Sequence, residues 1–258
     1  MIEFIVIVES SADARTATYL AERVFLEKID WLEREQLLYL FRWSGLKENS
    51  AHSCWKDIVD ILKWAEERGI QMPRFRGRRK NRMPPLKYDA ANSIKILNLI
   101  GYFQRTPEIK AVLFIRDLDN QPARRAAIEQ VRNERKNTQN SLKIVIGTAD
   151  KMREAWVLNG LVLSNPEEIQ RLAELKARLP FDPYEESHRL RSNSKEEPSR
   201  IRNPKFVVEM LTDGDMERKR QCWEETSLEI LRQRGIHTRL TAYLDEIERF
   251  LIPLIGAE

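Results

Sequence analysis

The stretch that most constrains this chain is residues 111–120, Ala-Val-Leu-Phe-Ile-Arg-Asp-Leu-Asp-Asn. Its apolar, β-branched half reads as a buried strand, and the end of that strand delivers Asp117 and Asp119. Residues two apart on an extended backbone face the same side. Two such carboxylates repel, and each favours its neutral form unless a cation lies between them. An oxygen-only pair of this kind suits Mg²⁺ or Mn²⁺. The plainer alternative is a strand end entering a polar turn at 119–122, with Pro122 as the first residue of a helix.

A second apolar run, residues 1–8, also ends in a carboxylate, Glu9, where Ser10 or Ser11 can cap a helix. A third run occupies residues 142–147. Between them, apolar residues recur at helical spacing over 12–29, 54–68, 89–101 and 122–136. Residues 31–45 fit either a short helix or a strand. Strands alternating with helices predict an α/β fold, a mostly parallel sheet covered on both faces. Ligands of such sheets gather beyond the carboxyl ends of the strands. Glu9, Asp117 and Asp119 are therefore expected to converge on one edge.

The same edge is where the chain passes after the third strand. Glu154, in Lys151-Met-Arg-Glu-Ala-Trp156, is expected there as a further ligand or acid/base group, with Asp150 a weaker candidate. Its bland role is a first-turn acid complementing a helix dipole, with Trp156 in the core. Beyond residue 150 the strands stop. Helices are expected over 153–161, 166–179, 205–211, 216–234 and 240–253, with a mobile loop at 180–204. The organisation read from this is an α/β domain at 1–150 and a helical part at 151–258.

Charge matters here by its placement. The net charge is only +4, but residues 71–85 carry six basic side chains, three prolines and no acid. That stretch is expected as an exposed loop on which Arg76, Arg78, Arg79 and Lys80 hold a nucleic-acid backbone without reading its sequence. A solvated or protein-facing loop is the alternative. Cys54 and Cys222 have no partner at zinc spacing and are expected to be reduced. His52, His188 and His237 are scattered, so a Ser/His/Asp arrangement gains no local support. No Walker-type or Gly-x-Gly-x-x-Gly cradle follows a strand, so ATP hydrolysis by the chain itself is not expected. No apolar run is long enough to span a membrane, and Glu3 inside the first run argues against a signal peptide; a cytoplasmic protein is expected.

A first-strand glutamate, Glu9, followed about a hundred residues later by an apolar strand ending in Asp117-x-Asp119, resembles the Toprim domain over residues 2–147. That family includes topoisomerases, DnaG-type primases and the overcoming-lysogenisation-defect nucleases. In it, the matching glutamate and Asp-x-Asp bind divalent metal, and the glutamate can also act as acid or base. Topoisomerases and primases place a glycine soon after the glutamate, where this chain has Ser10 and Ser11. Chain length and the Arg153-Glu-Ala-Trp156 motif look more like the stand-alone Toprim-like proteins paired with ATPases in phage-defence loci. The resemblance thus implies a Mg²⁺- or Mn²⁺-dependent endonuclease, acting on DNA ahead of RNA. It further implies a defence or toxin role and an ATPase partner; a homo-oligomer is compatible with it. Two rivals stand beside it: a non-catalytic partner subunit, and phosphoryl transfer or hydrolysis on a small nucleotide.

Overall fold

Alternation within the apolar runs decides the architecture. Phe4, Val6 and Val8 enter one core cluster while Ile5 and Ile7 enter another. Leu113 and Ile115 likewise oppose Val112 and Phe114, and Val145 opposes Ile144 and Ile146. A strand apolar at every position has both faces covered, the condition of a parallel sheet between helical layers. The computed structural model describes residues 1–70, 89–103, 109–135 and 142–256.

In chain order the elements are β1 (Ile2–Val8), α1 (Ser11–Lys28), α2 (Leu37–Leu40), β2 (Phe41–Ser44), β3 (Ser53–Cys54), α3 (Ile58–Glu67) and α4 (Ala90–Phe103). There follow β4 (Ile109–Asp117), α5 (Ala123–Arg135), β5 (Lys143–Ala149), α6 (Glu154–Gly160) and α7 (Pro166–Arg178). The chain ends with α8 (Pro204–Thr212), α9 (Met216–Glu224), α10 (Leu228–Arg234), α11 (Leu240–Phe250) and α12 (Ile252–Ile255). Every strand pairing among the described residues is parallel, in the order β2-β1-β4-β5. Strand β3 pairs with the far end of β1, beyond β2, so the two short strands share one edge.

One face of the sheet is covered by α3, α4 and α5, the other by α1 and the C-terminal helices. On that second face Leu175, Leu211, Tyr243, Leu244 and Leu251 join Val6, Leu113 and Val145 in one cluster. Residues 151–258 therefore complete the core of the α/β part. Residues 180–204, read as a mobile loop, are irregular but anchored: Ser187, Leu190 and Ile201 are buried, and Arg234 donates to the Tyr184 carbonyl at 2.6 Å. Residues 31–45 contain both alternatives, helix α2 running straight into β2. The basic stretch with Arg76, Arg78, Arg79 and Lys80 lies outside the described residues. No described helix is long and apolar enough to cross a membrane.

Candidate functional site

Strand β1 stops at Val8 because Ser10 caps α1, its hydroxyl oxygen accepting from the Asp13 amide. The same hydroxyl donates to Asp13 Oδ2 at 2.7 Å, a Ser-x-x-Asp box that fixes the first turn. Glu9 is thereby held between strand and helix, at the carboxyl edge. Its Oε1 accepts from the Asp117 amide at 3.1 Å, so the first- and fourth-strand acids meet although 108 residues apart. The convergence read for these two is present.

Asp119 departs from the expectation. The alternation argument needs an extended chain, but Asp119 and Asn120 have φ of +48° and +63°. They are the central pair of a tight turn closed by the Gln121 amide on the Leu118 carbonyl at 2.7 Å, in the conformation that Asp and Asn tolerate best. The turn is thus 118–121 rather than 119–122, and α5 begins at Ala123, after Pro122. Turned this way, Asp119 pairs with Arg124 at 3.1 Å and lies 3.8 Å from the Lys151 ammonium. Arg124 also donates to the Asp117 carbonyl at 2.8 Å and comes within 3.8 Å of Glu9. Arg116, itself held by Asp89, pairs with Glu9 at 2.9 Å.

Asp117 has different surroundings. Its Oδ1 accepts from the Arg153 amide at 3.0 Å, and no lysine or arginine forms an ion pair with it among the described residues. Burial pushes its pKa well above the ordinary aspartate range, and the charges of Asp13, Glu9, Glu154 and Asp119 push it further. Glu9 is raised too, by burial first, against the opposing pull of Arg116. Glu154 stands at the start of α6, where Arg153 reaches it at 3.3 Å and Asp13 at 3.3 Å. Asp150 is drawn off to Arg191 at 2.5 Å. Lys151 is fully buried, and its ammonium has no hydrogen-bond partner; burial lowers its pKa.

Asp13, Arg116, Arg124 and Lys151 were not singled out from the sequence, and Arg153 only as part of the Arg153-Glu-Ala-Trp156 motif. Asp13 carries a signal, the Ser10-x-x-Asp13 spacing of a helix start. Arginines in helices and strand ends carry none.

In its chemistry the donor set suits a hard divalent cation: five carboxylates, with the half-buried Asp117 feeling the charge of the other four and having no ion pair of its own among the described residues. Among the described residues no three His, Cys, Asp or Glu side chains are grouped so as to hold a metal ion as they stand, and Arg116 and Arg124 pair with Glu9 and Asp119. None of the protein-family models, curated proteins or solved structures compared with the chain matches it. The fold and site thus define a parallel α/β protein with an acidic cluster at the carboxyl edge of its sheet.

Proposed function

We propose that the chain is a divalent-metal-dependent nuclease, cleaving phosphodiester bonds of nucleic acid. The observation that carries this reading is Asp117: a half-buried carboxylate amid four others, with no ion pair of its own among the described residues. Leaving such a group uncompensated is costly, and the cost is recovered when an ion binds. Asp117, Glu9 and Asp119 would hold Mg²⁺ or Mn²⁺, with Asp13 and Glu154 at its flank. A bound ion supplies a polarised phosphoryl oxygen and an acidified water. Glu9 and Asp119 would exchange an arginine for the ion, which frees Arg116 and Arg124 to pair with the substrate phosphate. The Toprim resemblance supports the same assignment, and the defence role and ATPase partner that come with it belong to the proposal.

A second reading is favoured by the ion pairs themselves. If Arg116 and Arg124 permanently neutralise Glu9 and Asp119, the chain is a binding subunit with an idle edge. Purified protein incubated with plasmid, single-stranded DNA or RNA in Mg²⁺ or Mn²⁺ separates the two. Cleavage that stops in EDTA and in Asp117→Asn supports the nuclease. Metal-independent cleavage, or none with any of these substrates, sinks it.

A further inference from the structure

A cavity of about 360 Å³ opens beside the acidic cluster, between α1, α6, α8 and α9. It is within the size range of small-ligand sites, roughly 300–1,000 Å³. Its apolar lining comes from Val157, Val208, Met216 and Trp223. Its charged lining is nearly self-cancelling: Glu154 pairs with Arg153, Glu209 with Lys219 and Glu217 with Arg220. Two cations are left over. Arg15 and Lys205 line the cavity, are exposed, and have no acidic partner among the described residues. Trp223, only 8% exposed, lends part of its ring to the lining, while its indole N–H is closed off from solvent and does not face the open cavity.

An occupant that satisfies both features, the apolar lining and the two spare cations, is a flat, largely apolar body joined to an anion. Arg153 ties the cavity to the site: its side chain lines the one while its amide holds Asp117 of the other. We infer that the cavity receives one unpaired nucleotide of the strand being cut, its base against Val208 and Trp223 and a phosphate on Arg15 and Lys205. The inference rests on the nuclease reading and narrows its substrate class to single-stranded nucleic acid. A base within a duplex is stacked and paired, and enters such a cavity only by flipping out, which breaks both its stacking and its pairing.

Titration calorimetry of the full chain in EDTA, with adenosine and thymidine 5′-monophosphate and with inorganic phosphate as separate probes, tests the site without catalysis. At least tenfold tighter binding of a mononucleotide than of phosphate is expected, falling fivefold or more in Arg15→Glu and in Lys205→Glu. Both residues are exposed, and circular dichroism of each variant confirms its fold. Phosphate binding as tightly as the nucleotides, or folded variants binding like the wild type, overturns the inference. With Mn²⁺, a single-stranded oligonucleotide should be cut at least tenfold faster than its blunt duplex. Equal cleavage of both overturns the narrowing while leaving the nuclease reading standing. Mononucleotide binding without cleavage of either strand form keeps the cavity as a nucleotide site and removes the nuclease reading together with its single-strand substrate.

Discussion

Asp117 is a residue whose burial works against the fold. A carboxyl raised above its unfolded range keeps its proton longer in the native state, so stability falls as pH rises from the ordinary aspartate range through the raised one. Asp117→Asn removes that burden above this window and keeps an acceptor for the Arg153 amide. Its melting temperature at neutral pH should exceed the wild type's, by about 2–4 °C for each kcal/mol relieved. Added Mn²⁺ should raise the wild type's melting temperature and leave the variant's where it is. Differential scanning fluorimetry with and without metal checks both; an asparagine variant that melts lower, or gains equally from metal, contradicts the role given to Asp117. Glu9 and Asp117 were legible in the sequence because each ends an apolar run, and the topology of a parallel sheet brings such ends together. Asp119 was legible as an acid at that edge but not in its direction, since the left-handed turn is set by Asp119-Asn120 and not by strand alternation. The arginines that answer these acids follow from tertiary placement alone.

Element contacts turn on close approach at one glycine. Gly160 ends α6, and a Cβ there would stand 1.8 Å from the Cys222 carbonyl oxygen of α9, so the two helices touch backbone to backbone. Gly160→Ala should force them apart and cost about 1–3 kcal/mol. Gly101→Ala is the matched control, since nothing lies within 4 Å of its Cβ and helix propensity favours alanine by roughly 0.5–1 kcal/mol. Urea midpoints should move in opposite directions for the two; a Gly160 variant as stable as the wild type would mean that α6 and α9 are not in this register. Strands β1, β4 and β5 were readable from their length and unbroken apolarity, β5 running two residues further, to Ala149. The edge was not, because β2 and β3 are four and two residues long and carry polar side chains. The expected helix at 216–234 is two, since Ser227 recaps the chain by accepting from the Ile230 amide at 3.3 Å.

At the scale of the whole molecule, the sheet has one of its two covers supplied from far along the chain. Helix α11 lies on β5, and Tyr243 is its largest fully buried side chain, stacked on Trp156 at 5.3 Å and donating to the Ala17 carbonyl at 2.9 Å. Gly147 of β5 leaves the room: a Cβ there would meet the Tyr243 ring at 2.7 Å. Tyr243 therefore joins α1, α6 and β5, three elements that also position Asp13, Glu154 and the edge of the site. Periodicity shows that a helix has an apolar face but not which strand that face covers, so a boundary at residue 150 was the natural reading of a change from strands to helices. The shared cluster predicts something else, that neither part holds its structure alone. Tyr243→Ala should cost about 3–5 kcal/mol, the range for emptying a large aromatic position. That loss should shift a single unfolding transition, followed by far-ultraviolet dichroism for the helices and by near-ultraviolet dichroism for the packed aromatics, with the two curves coincident. A fragment ending at residue 150 should lack a cooperative transition, because Val6, Val8, Leu113 and Val145 would face water. Two separate transitions in the full chain, or a cooperative fragment, would restore the two-part division and detach the C-terminal helices from the geometry of the acidic edge.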